Sequence, residues 1–185
     1  MPKQVIAEME RKMKASLLDL DKELGTLRTG RATPALLDKI MVDYYDTPTP
    51  LRDLGMISTP DARQLLIAPY DKTAAGSIVN AISKSDLGLN ATTDGGQVRV
   101  SVPALNEERR RDMVKTAGKK AEAHKVAIRN VRRDANDTLK KMEKDGELTK
   151  DDLQKFEGDV QKITDRIIVE IDKMRQAKEA DILEV

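Results

Sequence analysis

Apolar residues recur along this chain at helical spacing in three places. Ile6, Met9, Met13, Leu17, Leu20, Leu24 and Leu27 follow one another at steps of three or four. The same rhythm runs through Met113, Ala117, Ala121, His124, Ile128, Val131, Ala135, Leu139 and Met142, and again through Leu153, Phe156, Val160, Ile163, Ile167, Ile171 and Met174. Such steps put each set on one stripe of an otherwise charged helix. Three stripes of this kind can be buried only against one another, so the pattern predicts a three-helix bundle.

End signals agree with the stripes. Asn106 can cap the second helix, with Glu107 and Glu108 favourable in its first turn. Gly146 is a natural stop, and Thr149-Lys150-Asp151-Asp152 resembles a capping box with Asp in place of Glu. A helix over 107–145 would be about 58 Å long at about 1.5 Å per residue, which makes the bundle an elongated rod.

Between the first two stripes the pattern changes. Six of the seven prolines lie between Pro34 and Pro103, and none follows. Lys39–Tyr45, Gln64–Ala68 and Val98–Val102 read as strands, the last with strict alternation. Thr73 is positioned to cap a short helix burying Ile78, Val79 and Ile82, and Asp94-Gly95-Gly96 reads as a turn. The expected fold class is therefore α+β, with a small α+β domain at 31–104 inserted into a discontinuous bundle of 1–30 and 105–185. The chain crosses between them at Thr29, Gly30 and Arg31 and again at Val102, Pro103 and Ala104. These six residues are hinge candidates, because Gly30 tolerates a dihedral change and Pro103 fixes its own φ.

Composition removes several chemistries. The chain has no Cys, one His and four aromatic residues in 185. Disulfides, thiolate zinc sites and a cysteine nucleophile are excluded, and base stacking on an aromatic platform is disfavoured. His124 falls on an apolar stripe and reads as a structural histidine. Asp19/Asp21 and Asp151/Asp152 read as solvated or capping carboxylates. Gly95-Gly96 lacks the ending of a phosphate loop. A pocket among Tyr44, Tyr45, Arg63 and Tyr70 is the one place an enzyme could work, and it offers no catalytic set. The expectation is no catalytic residue, no metal and no cofactor. Nothing spans a membrane, and the N-terminus has no signal-like apolar region, so a cytoplasmic monomer is expected.

Charge becomes informative only when it is divided. The net charge is +1, yet residues 105–145 carry 13 basic and 8 acidic side chains and residues 146–185 carry 7 and 11. On a helical wheel Arg111, Lys115, Lys125, Arg129, Arg132, Arg133 and Lys140 share a flank turned away from the stripe, with Gly118 and Asn136. Two readings stay open: a solvated helix face, or a phosphate-binding surface. Arginine at 129, 132 and 133 favours the second, because its planar fork suits bidentate phosphate contact, and acidic i±4 partners are sparse.

Five blocks then resemble a known family, the ribosome recycling factors. They are Leu27–Pro34, Tyr44–Leu51, Ser85–Asn90, Glu107–Arg110 and Arg129–Asp137, the last the most specific. They lie in order along nearly the whole chain, up to about Lys173. The resemblance implies an L-shaped two-domain molecule. It implies a non-enzymatic factor that binds the post-termination ribosome and, with elongation factor G and its GTP hydrolysis, splits the subunits. It also implies contact with large-subunit ribosomal RNA through Arg110, Arg129, Arg132 and Arg133, to which the flank adds Lys125. The alternative is a helical RNA-binding or coiled-coil interaction protein that splits nothing.

Overall fold

A computed structural model describes residues 1–27 and 29–184. Arg28, part of the first family-like block, lies outside the described residues, as does Val185. Four α-helices and six strands follow in the order α1 (Pro2–Gly25), β1 (Met41–Tyr44), β2 (Thr47–Pro50), β3 (Gly55–Asp61), β4 (Gln64–Pro69), α2 (Ala75–Lys84), β5 (Asn90–Asp94), β6 (Gln97–Ser101), α3 (Glu107–Lys144) and α4 (Lys150–Leu183). They form two compact units, one of Met1–Asp21 with Ala117–Lys178, the other of Lys22–Thr116 with Glu179–Val185.

The first unit is helical. It buries Met9, Met13 and Leu20 of α1, Ala117, Ala121, Ile128, Ala135, Leu139 and Met142 of α3, and Val160, Ile167 and Ile171 of α4. Thr164 is buried among them although no apolar stripe included it. Its hydroxyl donates to the Val160 carbonyl at 2.8 Å, so burial leaves no unmet donor. The turn between α3 and α4 is closed as expected. Gly146 sits at φ +81°, with Gly146 N donating to Glu143 O and Glu147 N to Met142 O, a Schellman arrangement. Thr149 N donates to Asp152 and Asp152 N to the Thr149 hydroxyl, which completes the capping box.

The second unit holds a four-stranded antiparallel sheet in the order β3-β4-β6-β5 and a separate β1-β2 hairpin. Its core gathers Leu36, Leu37, Val42, Leu51, Leu65, Ile67, Ile78, Ile82, Val98 and Val100. The two central strands are those with visible alternation; β3 and β5 are edges with mostly exposed residues. The hairpin strand Thr47-Pro48-Thr49-Pro50 is compatible with its prolines because alternate N–H groups point one way. Leu51 N donates to Ile40 O, so the odd positions face β1 and both prolines face outward. Two helix details differ from the sequence reading. Asp71, not Thr73, caps the turn that leads into α2; its carboxylate accepts from Thr73 N at 3.0 Å and from the Thr73 hydroxyl at 2.7 Å. Ile78 and Ile82 are fully buried while Val79 is only partly so, since it lies at the margin of the helix's inner face.

Candidate nucleic-acid interface

The basic flank is a property of α3, and α3 forms because nothing in 107–144 interrupts it. Asn106 Oδ1 accepts from Arg109 N at 2.7 Å, satisfying an orphan donor of the first turn. With the stripe buried, the wheel position of each cation is fixed.

Within the bundle unit the flank borders α4. Lys125 Nζ lies 2.5 Å from Asp172 Oδ1, and its side chain keeps only 17% of its exposure. It is thus a tie between α3 and α4 as well as a cation. Arg132 is half-buried and donates weakly to the neutral Gln161 Oε1 at 3.4 Å, and among the described residues it makes no ion pair with a carboxylate. Arg129 faces solvent with a 3.3 Å contact to Glu122, itself largely exposed. Arg133 is exposed and makes no hydrogen bond or ion pair among the described residues. Arg111 is paired with Glu107 at 2.7 Å. Acidic i±4 partners are sparse as expected, with Glu107–Arg111 the i,i+4 pair on the flank among the described residues. The other carboxylates that reach it come from elsewhere: Asp172 from α4 and Glu122 from seven positions away.

Arg110 belongs to the other unit. It is half-buried in the first turn of α3, and its Nε is shielded from solvent with no hydrogen-bond partner. It lines a cavity of about 200 Å³ with Thr29, Gly30, Arg31, Arg63 and Glu184. The structure brings Arg129, Arg132 and Arg133 together on one face and places Arg110 in a different setting. Of the hinge candidates, Gly30 has φ +82° and Val102 is buried, its N–H bonded to Arg63 O at 2.8 Å.

The other sequence candidates resolve into structure. His124 is mostly buried, with Ser16 Oγ 2.8 Å from Nδ1 and Asp19 3.8 Å from Nε2. Tyr44 and Tyr45 direct their hydroxyls to Asp71 at 2.8 and 3.5 Å, while Arg63 lines the separate cavity with Arg110. The hydrogen bonds from Thr73, then that from Tyr44, hold the Asp71 carboxyl below its ordinary range; the bond to Asp71 raises the Tyr44 phenol. Gln161 and Asp172 border the flank and were not found from sequence. Their signal is their position on the face of α4 nearest the basic side of α3, visible only once the helices are packed.

Comparison with known proteins decides the family. The model of the family described as Ribosome recycling factor matches residues 20–183. The chain belongs to the ribosome recycling factor family. It is 51% identical to the ribosome-recycling factor of Bacillus subtilis strain 168 over 185 residues, the full length of both chains. Over 178 residues, 96% of each chain, it is 54% identical to that of Clostridioides difficile strain 630. A solution structure of a ribosome recycling factor superimposes with TM-score 0.78 at 37% identity, covering 100% of this chain and 98% of the other. A second match, at TM-score 0.69 and 41% identity with full coverage of both chains, comes from models of the T. thermophilus ribosome recycling factor and E. coli elongation factor G bound to the E. coli post-termination complex. Among the described residues no helix is long and apolar enough to cross a membrane.

Proposed function

We propose that this chain binds the post-termination ribosome through the Arg129, Arg132 and Arg133 face of α3, with Arg110 as a further contact to large-subunit ribosomal RNA. Together with elongation factor G and its GTP hydrolysis it separates the subunits, acting as a cytoplasmic monomer without catalysis of its own. The observation that carries this reading is a pair of arginines, Arg132 and Arg133, with no ion pair to a carboxylate among the described residues, in a chain of this family. Phosphate oxygens are what such guanidiniums lack, and contact of this kind orients a protein without reading bases.

The segment 31–104 acts in this reading as the inserted domain on which elongation factor G pushes. Thr29, Gly30 and Arg31 and Val102, Pro103 and Ala104 are its hinge. Co-sedimentation with ribosomes, followed by light scattering with elongation factor G and GTP, tests the whole. The protein should pellet with large subunits and lower the scattering only when both partners are present. Pelleting without splitting would instead mark a helical RNA-binding protein. An engineered disulfide bridging the two crossings, in a chain otherwise free of cysteine, should abolish splitting but not binding, and reduction should restore it. Normal splitting by the locked form would eliminate the hinge.

A further inference from the structure

Three arginines, Arg31, Arg63 and Arg110, line the cavity of about 200 Å³ described above, and among the described residues one acidic residue, Glu184, lines it with them. Among the described lining residues, three cations against one anion leave a surplus of two positive charges. Glu184 Oε1 accepts from Arg31 Nη2 at 3.0 Å. Arg110 Nε is withdrawn from solvent with no acceptor, a state that a charged donor holds only at the cost of its desolvation. The site thus contains an unsatisfied donor and a surplus of charge of the sign that attracts an oxyanion.

The backbones of Arg63 and Arg110 are held in place by structure unrelated to a ligand. Arg63 lies on the turn between β3 and β4, where its own N–H donates to Asp61 Oδ1 at 2.9 Å. That turn is clasped from both sides: Ala32 N donates to Ala62 O at 2.7 Å and Val102 N to Arg63 O at 2.8 Å. Arg110 is in the first turn of α3, where the helix dipole adds positive potential. Gly30, at φ +82°, passes the cavity without a side chain. The volume lies below the roughly 300–1,000 Å³ of pockets that enclose whole small molecules, so it fits a single phosphate group and not a nucleotide.

We infer that Arg31, Arg63 and Arg110 form a receptor for one phosphodiester of a nucleic-acid backbone, and that Glu184 near the C-terminus is the resident carboxylate which that phosphate replaces. The inference rests on the reading of Arg110 as an RNA-facing residue and assigns it two partners and a competitor. Because carboxylate and phosphate vie for the same guanidinium, removing the Glu184 charge must tighten phosphate binding, and phosphate binding must release the Glu184 carboxylate from Arg31.

The test uses the full-length protein labelled at arginine Nε, titrated separately with inorganic phosphate and with dimethyl phosphate at matched ionic strength in chloride. Both probes should shift the Arg110 Nε–H signal saturably. Glu184→Gln should tighten each roughly three- to tenfold, and Arg63→Gln, at an exposed position that leaves the fold intact, should weaken each at least fivefold. No saturable shift, or an unchanged affinity in Glu184→Gln, would overturn the site. Binding of inorganic phosphate without dimethyl phosphate would overturn its assignment to a nucleic-acid diester. Arg132→Ala should leave these titrations unchanged. Phosphate binding here with no affinity for ribosomes would therefore refute the proposed function alone, and the reverse would refute this site alone.

Discussion

In the bundle unit α3 meets its neighbours through Ala117, Ala121 and Ala135, with Ile128 and Leu139 as its large fully buried residues. In the other unit Leu36, Leu37, Leu51, Leu65, Ile67, Ile78 and Ile82 fill one continuous core between sheet, hairpin and α2. The first arrangement is a thin seam supplemented by polar ties such as Lys125–Asp172 and Arg166–Glu10. The second concentrates apolar volume. A thin seam between long helices leaves most of each helix surface in water, and that is where a row of arginines can stand without being neutralised by burial. A concentrated core instead confines its cations to turns and rims, where Arg31, Arg63 and Arg110 share a cavity. One unit offers a face and the other a pocket, and both present guanidinium to solvent.

The largest expected effects come from emptying either core. Ile128→Ala and Ile78→Ala should each cost about 2–5 kcal/mol in denaturant unfolding. Both residues are fully buried. A loss below about 0.5 kcal/mol at Ile128 would mean that the α3 seam is not packed as a core. The alanine seam makes an opposite demand. Ala121→Leu should destabilise by about 1–3 kcal/mol, because the added carbons force apart helices that meet on a small residue. A neutral outcome would show slack in the seam and erase the contrast with the other unit.

Two glycines sharpen the division between holding the fold and meeting a partner. Among the described residues, nothing beyond the chain neighbours and the helix's own backbone comes within 4 Å of where a Cβ would stand at Gly118 or Gly158, so neither glycine is needed for packing. Alanine at either should stabilise its helix by about 0.5–1 kcal/mol. Gly118 shares the arginine flank, so Gly118→Ala should also weaken binding to large subunits. Gly158→Ala, on the outer side of α4, should not. The smallest effect concerns pH. Asp71 has a lowered carboxyl pKa, so its contribution is present above the ordinary carboxylate range and is lost as pH falls through the lower folded value. The raised Tyr44 phenol acts in reverse: its contribution is present below the ordinary tyrosine pKa and fades as pH rises through the folded value. Asp71→Asn should flatten the acid side of the stability profile while keeping a cap acceptor.

Legibility in the sequence followed the amount of burial. The three helices were visible because a stripe repeated over 22 to 30 residues outweighs local exceptions, and Asn106, Gly146 and Thr149 act through hydrogen bonds within a few residues. Strand β6 was legible by its strict alternation, and β4 by the short apolar run Leu65-Leu66-Ile67-Ala68. Strands β3 and β5 were not, because an edge strand with polar residues on exposed positions has no pattern to read, and β2 was hidden by its prolines. Asp71 was overlooked in favour of Thr73 because a 3₁₀ turn precedes α2 and moves the cap two residues back. At the candidate interface, membership of the flank was legible for Arg129, Arg132 and Arg133, since a helix wheel needs only sequence. The ties of Lys125 to Asp172 and of Arg132 to Gln161 depend on which helices become neighbours. The meeting of Arg31, Arg63, Arg110 and Glu184 joins four distant parts of the chain, and no spacing encodes it.

In the proposed function Arg132 acts toward RNA phosphate and not toward the fold. The most direct test is the affinity of wild type and Arg132→Ala for large ribosomal subunits across a series of salt concentrations, with thermal melting alongside. Arg132→Ala should lose about 1.5–3 kcal/mol in binding, the scale of a charged hydrogen bond. The slope of log affinity against log salt should become shallower by roughly 0.7–0.9, one phosphate contact, and melting should be unchanged. An unchanged slope, or normal binding with early melting, would contradict it and make Arg132 a structural residue of the α3–α4 contact.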